Sequence, residues 1–459
     1  MLLPRIDTAA LVARRARLST ALEGAPALIA AGAPSPRNYR ANPWPFRAAS
    51  HFLYLAGVPI PGAFLLLEGD AATLFVETPD DDDELWHGPS ATLADLAAAV
   101  GCAVRDASEL PRLLAGRRVA TLPAIDAPTR ERQSELLGRP VRYGALSDDD
   151  ATLADAVIAL RLVHDQAAIR GLREAAEGTT AAHLAGMRAT RAGLREHAIR
   201  GAMESALLTR GMGTSYQSIV TVHGEVLHNH GYGHELRDGD LLLADVGAET
   251  EGGWAGDVTR TWPVSGRFSE TQRSMYELVL TANRAAIEKV APGVRYRDVH
   301  LASCRVIARG LVDLGVLRGD PEELVADGVH ALFFPHGVGH LIGLDVHDME
   351  DLGDRAGYAP GRTRSTQFGL SYLRLDRDLA PGMAVTIEPG FYVVPAILRD
   401  PKLTAIARDR IDHATLERFA DVRGIRVEDD VLVTETGSEV LTSAIPKSVR
   451  DVEHAVGGG

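Results

Sequence analysis

Cysteine is almost missing: only Cys102 and Cys304 occur in 459 residues, far apart in the chain. Two such residues exclude a disulfide framework and argue against a thiolate-built metal site, so a metal should be held by oxygen and imidazole. No apolar run approaches the ~18 residues of a membrane span, and no membrane helix is expected. The opening stretch MLLPRIDTAALVARRARL sets Asp7 and four arginines into a short apolar pattern. That pattern starts an amphipathic helix; it is not a secretory core with a cleavage site, and a cytoplasmic location is the resulting expectation. Basic charge is lacking too. The formal net charge of −14 opposes nucleic-acid binding, because phosphate recognition needs a basic face. The run Asp80 to Asp83 reads as a solvated loop, since like charges packed together repel and stay hydrated.

The composition that remains, 46% hydrophobic and 24% charged, is that of a globular chain, and its length favours two domains. The first third alternates a helix with short apolar strands such as ALIAAG and AFLLLEG, which predicts a small α/β domain. From about Ala151 the pattern turns to long helical periodicity, and the boundary is placed at residue 158, giving domains 1–158 and 159–459. Beyond residue 215 strands return, interrupted by helices at SETQRSMYELVLTANRAAIEKV and YRDVHLASCRVIARGLVDLG. The terminal Gly457 to Gly459 reads as a frayed end.

Several carboxylates stand where a core strand should have none. DGDLLLADVGAETEGGWAGDVTRTWPV reads as two strands around Gly252-Gly253, with Asp245 and Asp257 in apolar surroundings. A turn centred near Glu251 would make them directly opposed, with Cβ atoms roughly 5 Å apart, a repulsive arrangement unless a cation lies between. The alternative is that one of them caps a turn or pairs with Arg260. Glu388 ends the apolar run MAVTI before Pro389-Gly390. In GIRVEDDVLVTE, alternation puts Ile425 and Val427 on one face of a strand and Arg426 and Glu428 on the other; a solvated Arg–Glu pair is the other reading. PHGVGHLIGLDVHD carries His336, His340 and His347, and Gly337, Gly339 and Gly343 make a helical HxxxH improbable. A loop whose glycines allow close approach fits better. Two Asp, two Glu and one or more His form an oxygen-rich set suited to divalent ions, manganese first and cobalt, zinc or iron next. Two such ions roughly 3.5–4 Å apart can share and activate a water, which makes the reaction class metal-assisted hydrolysis.

At these residues the sequence resembles the proline-specific pita-bread metallopeptidases, the Xaa-Pro aminopeptidases (aminopeptidase P) and the Xaa-Pro dipeptidases (prolidases). The motifs are ADVGAETEGGWAGDVTRT, HGVGHLIGLDVHD, TIEPGFY and GIRVEDD, in the family's order. The resemblance implies an α/β architecture: a small aminopeptidase P-type N-domain, then a catalytic domain with a curved, mostly antiparallel sheet flanked by helices. It implies five ligands to two metals: Asp257 and Glu428 bridging, Asp245 chelating one ion, His340 and Glu388 completing the other, with a hydroxide between. It implies that Glu388 also serves catalysis, that His228 lies near the scissile group, and that His336 and His347 line the proline pocket and assist the tetrahedral intermediate. Arg426 matches an arginine that orients a ligand. His223, His230 and His234 have no match and are read as surface residues.

The N-terminal third, with YRANPWPFRAASHFLYLAGVPIPGAFLLLEG and DELWHG, resembles the aminopeptidase P N-domain. Trp86 takes the place of a tryptophan that caps a neighbouring subunit's site, and a homodimer or homotetramer is implied. Asp245 and Asp257 lie twelve apart where the usual hairpin has eleven, which a bulge or wider turn would absorb. His223 stands where asparagine is common and Asn229 where tyrosine is. The implied substrates are peptides with proline in second position. Arg374, in LSYLRLDRDLAPGM, matches an arginine that grips a dipeptide's free carboxylate, so a dipeptidase is the close alternative to the aminopeptidase. An organophosphate-hydrolysing relative shares the metal set, whereas binding modules and creatinase-like enzymes without metal usually lose ligands that are all present here.

Overall fold

The computed structural model describes residues 5–78 and 85–456; the acidic run Asp80 to Asp83 and Gly457 to Gly459 lie outside them. Two compact units result. The first comprises Met1–Ala167 with Glu251–Gly253 and Asp351–Ala356, and the second comprises Ala168–Thr250, Trp254–Glu350 and Gly357–Gly459. The residue chosen from sequence as a boundary, Ile158, sits inside the helix Asp148–Arg161.

The first unit is built on a five-stranded mixed sheet in the order β4-β3-β2-β1-β5. Its strands are β1 (Ala27–Ala30), β2 (Phe64–Glu68), β3 (Ala71–Val76), β4 (Ala103–Asp106) and β5 (Ala120–Thr121). β1, β2 and β3 are antiparallel neighbours, while β4 and β5 join the edges in parallel. The alternate residues Leu28, Ala30, Phe64 and Leu66 bury one face under Leu110, Leu114 and Leu136. On the N-terminal helix Thr8–Ala21, the side chains of Arg14 and Arg15 are buried. Arg14 makes a bidentate pair with Asp165 at 2.8 and 2.9 Å, which satisfies an ion that would otherwise be costly to bury.

Among the described residues the second unit holds four short sheets. β6 (Gly213–Thr214) pairs with β9 (Ala248–Glu249), and β7 (Ile219–Thr221), β8 (Leu241–Asp245) and β10 (Thr259–Pro263) form a second antiparallel group. β11 (Ala384–Ile387), β14 (Asp429–Val433) and β15 (Ser438–Val440) form a third, and β12 (Gly390–Tyr392) with β13 (Gly424–Arg426) a fourth. Long helices back them. Gln166–Ala189 lies against the β8–β10 hairpin, where its buried His183 faces the carbonyl oxygens of Val246 and Val258 at 3.1 and 3.0 Å. The helix Glu270–Lys289, started by a Ser269/Gln272 capping box, points Asn283 into the sheets. Asn283 Nδ2 donates to the carbonyls of Ile387 and Val427 at 3.1 and 3.2 Å, the two places where a ladder is interrupted.

Candidate active site and metal centre

The hairpin register decides where two of the acids go. Asp245 pairs with Thr259, and Glu249 bridges Ala255 further out in the same register. The strands therefore run to the turn without a bulge, and Asp257 falls opposite Gly247. Asp245 and Asp257 are diagonal neighbours on one face, not the directly opposed pair expected from the sequence, because the turn centres one residue beyond Glu251. Arg260, the alternative partner, is engaged elsewhere: its Nη2 donates to Asp429 at 2.9 Å. Gly247 permits the closure, since a Cβ there would stand 1.7 Å from the carbonyl oxygen of Gly256.

Two further acids come from an interrupted pair of strands. Ile387 pairs with Asp429 and Gly390 with Arg426, leaving two residues on each side between the paired segments. Carried across that gap, the register sets Glu388 opposite Glu428 and Pro389 opposite Val427. Proline offers no N–H, so the ladder lapses. Glu428 N–H turns instead to Thr259 O at 3.0 Å, tying this region to the hairpin. GIRVEDDVLVTE is thus two strands, not the single one expected, and Arg426 and Glu428 are both buried.

The histidine segment is non-helical, as its glycines require, and runs beside β11. Glu388 N–H donates to Val338 O at 2.7 Å and Thr386 N–H to His340 O at 3.0 Å. Gly339 makes that approach possible: a Cβ on it would meet Thr386 O at 2.2 Å. His340 Nδ1 lies 3.0 Å from Leu341 O, so its N–H donates there and Nε2 stays bare. That bare nitrogen is 3.3 Å from Asp257 Oδ2 and 3.8 Å from Glu388 Oε1.

The five side chains converge on one cavity of about 830 Å³, which His228, His336, His347, Arg374 and Arg426 also line. Potential ligand atoms of Asp245, Asp257 and Glu428 lie within 4.8 Å of one another; so do those of His340, Glu388 and Glu428, and those of Asp257, His340 and His347. Such crowding is electrostatically expensive. Burial, reinforced by Asp245, lifts Asp257 to about 7. Burial lifts Glu388 to about 8 against the pull of Arg426, and it drives Glu428 well up with Asp257 and Glu388 adding to it. Burial also holds His336 and His340 neutral, down to about 3 and about 4. Glu428 Oε1 is buried with no hydrogen-bond partner among the described residues. An oxygen-rich set of neutral imidazole, crowded carboxylates and an orphaned carboxylate oxygen fits a divalent cation.

The surrounding hydrogen bonds fix orientation. Arg426 donates through Nη2 to Asp245 Oδ2 at 2.6 Å, through Nε to Thr259 Oγ1 at 2.8 Å and through Nη1 to the Tyr392 hydroxyl at 3.0 Å. Thr259 in turn donates to Glu428 Oε2 at 2.9 Å. His336 Nδ1 lies 2.8 Å from Gly337 O, so Nε2 accepts from the Tyr392 hydroxyl at 2.9 Å. Glu350 joins His347 Nδ1 at 3.2 Å to Arg374 Nη1 at 2.7 Å. Burial alone would raise its carboxyl, but the His347 bond and the Arg374 charge bring it down to about 2.

Sequence reasoning overlooked several of these partners. Tyr216 donates to Asp245 Oδ1 at 2.5 Å and carried no signal in the sequence. Tyr392 lies within TIEPGFY without having been assigned a role. Asp430 was legible by the argument applied to Glu428: it is a buried acid in an apolar strand, its Oδ2 accepts from Asp257 N–H at 3.1 Å, and burial followed by Asp257 pushes its carboxyl well up. His230, read as a surface residue, is exposed but also lines the cavity. His223 and His234 face Glu225 and Glu196 instead. Trp86 belongs to the first unit and leaves 77% of its surface exposed.

Comparison with known proteins places this geometry. Residues 170–435 match the profile of metallopeptidase family M24, and residues 11–120 that of the aminopeptidase P N-terminal domain. The Xaa-Pro aminopeptidase of Escherichia coli is 32% identical over 96% of this chain and 95% of its own. The human Xaa-Pro dipeptidase is 28% identical over 90% of this chain and 85% of its own. The solved structure of zinc-substituted E. coli aminopeptidase P with product superposes at a TM-score of 0.80, with 30% identity and 98% of each chain covered.

Proposed function

The chain belongs to metallopeptidase family M24 and is a metal-dependent exopeptidase, and from that we propose that it releases the N-terminal residue of peptides whose second residue is proline. One observation carries the reading: Asp245, Asp257, His340, Glu388 and Glu428, from four separate chain segments, present overlapping ligand groups to a single cavity. Asp257, Glu428 and His340 each belong to two of those groups; of the three only the carboxylates have two oxygens to share, which supports bridging roles for Asp257 and Glu428, with Asp245 on one ion and His340 and Glu388 on the other. Four carboxylates and one imidazole favour manganese, and the zinc in the E. coli structure fits the same borderline-hard set. When bound, the ions supply an activated water and polarise the scissile carbonyl.

The chain's own residues account for the rest. Arg426 holds the carboxylate of Asp245 in one orientation and, through Tyr392, the ring of His336. Glu388 Oε2 stands 3.8 Å from His336 Nδ1 inside the cavity, and as a carboxylate it can take up a proton released during hydrolysis and pass it to the departing proline nitrogen. That nitrogen must be protonated to leave and bears no N–H beforehand. His228 and His347 line the same cavity, which supports a role for them as donors to the carbonyl oxygen as charge develops on it.

Arg374 is already paired with Glu350, so a dipeptide's free carboxylate would have to compete for it. That pairing supports acceptance of longer peptides over restriction to dipeptides. We further place the protein in the cytoplasm, as a homodimer or homotetramer in which the exposed Trp86 meets a neighbouring subunit. Among the described residues no helix is long and apolar enough to cross a membrane.

The test is metal analysis of the purified chain with assays on Xaa-Pro tripeptides, repeated for Asp257→Ala. Two divalent ions per chain and peptide hydrolysis are expected, with hydrolysis reduced roughly 10³-fold or more in the variant, since a group acting on the developing charge is lost. A protein that binds no divalent ion, or one that cleaves a phosphotriester faster than any Xaa-Pro peptide, would overturn the reading.

A further inference from the structure

A second cluster of metal-binding side chains lies in the core, apart from the carboxylates. His300 and Cys304 are four residues apart on the helix Tyr296–Asp313, on one face, and His330 comes from the turn Val329–Leu332. His300 and Cys304 are fully buried and His330 is 3% exposed. One donor atom from each lies within 4.8 Å of the other two, and Cys304 Sγ is 3.3 Å from His300 Nε2. Scarcity of cysteine argued against a thiolate metal site and for oxygen and imidazole alone; this cluster runs against that expectation, with one thiol meeting two imidazoles.

The hydrogen-bond accounting does not close without a further partner. If the thiol donates to His300 Nε2, then Nδ1 carries a buried N–H with nothing to receive it; if Nε2 donates, Nδ1 is a buried bare lone pair. Among the described residues His300 Nδ1 and His330 Nδ1 both have no hydrogen-bond partner, although the His330 ring also has a hydrogen bond to the backbone of Leu324. Both rings are also held neutral by burial, His300 down to about 3 and His330 to about 4, so their nitrogens are free of a second proton at physiological pH.

We propose that His300, Cys304 and His330 form a third metal site that takes a soft monovalent cation, Cu(I). Charge and coordination number favour it over zinc. Cu(I) with one thiolate and two neutral imidazoles is uncharged, as a dry core demands, whereas Zn(II) with the same ligands leaves a net positive charge there. Three donors suit Cu(I), while structural zinc takes four. On binding, the S–H bond breaks, a Cu–S bond forms and the proton passes to solvent, one per copper, with no change in oxidation state. The ring of Phe334 is 5.6 Å from that of His300 and 4.9 Å from that of His336, so the site lies one aromatic ring behind the candidate active site.

The test is anaerobic titration of the full-length, manganese-loaded protein with Cu(I) against the chromophoric chelator bicinchoninate. One Cu(I) per chain should be retained, with affinity at least 100-fold lower in Cys304→Ser and in His330→Ala and unchanged in Cys102→Ser. X-ray absorption at the copper edge of the wild type, which needs no variant, should show one sulfur and two imidazole nitrogens. Equal copper retention by wild type and Cys304→Ser, loss of binding in Cys102→Ser, or a copper shell without sulfur would each overturn the proposal.

Discussion

Arg426 and Asp245 meet at 2.6 Å between Nη2 and Oδ2 although 181 residues and two different sheets separate them. The same guanidinium reaches Thr259 and Tyr392, so one side chain sets the angle of an acid, a relay to Glu428 and a relay to His336. Loss of a group that orients a metal ligand typically weakens metal binding by about 10–100-fold. Arg426→Lys should therefore lower manganese affinity by that factor, because a lysine reaches one partner where the planar fork reaches three. Calorimetric titration of the metal-free protein measures it; unchanged affinity would remove Arg426 from this role.

Metal binding should strengthen with pH and level off above about pH 8. Asp257 at about 7 and Glu388 at about 8 hold protons near neutrality that a cation must displace. Both values lie above the ~4 of a free carboxyl. Their contribution to the stability of the metal-free fold is thus complete below pH ~4 and is lost as pH rises through 7 and 8. The increase in Tm on adding manganese, read by scanning calorimetry, is expected to grow from pH 5 to pH 8. An increase that is flat, or that shrinks, would contradict the assignment.

Substrate length can be read directly. Gly-Pro, Gly-Pro-amide and a Gly-Pro-Xaa tripeptide should be compared by kcat/KM, with the tripeptide expected to be the best of the three. Arg374→Ala should change tripeptide hydrolysis by less than about tenfold, about 1.4 kcal/mol, because that guanidinium is shared with Glu350. Strong preference for the free dipeptide, lost in this variant, would make the enzyme a dipeptidase.

Gly247→Ala should destabilise the hairpin that bears both aspartates. The added methyl would stand 1.7 Å from Gly256 O and 2.6 Å from Ser215 Oγ, contacts that only a backbone shift relieves. Overpacking of this kind costs about 1–3 kcal/mol or more, which lowers Tm by at least about 2–4 °C in a unit of this size. A variant with wild-type Tm and metal content would show that the strands can separate there freely.

The positions of Glu388 and Glu428 were legible in the chain because an unpaired acid at the end of an apolar run is costly unless something compensates it. The same argument reaches Asp430, and it fails for Tyr216, Thr259 and Asn283, whose polar side chains are ordinary in any sequence and gain a role only from what they touch. Reading glycine as permission for close approach was sound at Gly339. Single-strand alternation through GIRVEDDVLVTE was not, because Pro389 on the opposing strand interrupts the ladder.

Residue types, their order and their local periodicity were thus enough to point to the acids, since desolvation makes each of them anomalous where it stands, whereas the choice of His340 among three histidines came from the family resemblance. Which acids face each other was decided only on folding. A hairpin shifted by one residue makes Asp245 and Asp257 diagonal neighbours, and the register shared by the strand pairs on either side of Pro389 sets Glu388 opposite Glu428. Register is fixed by pairing between segments far apart in the chain, and no local pattern encodes it.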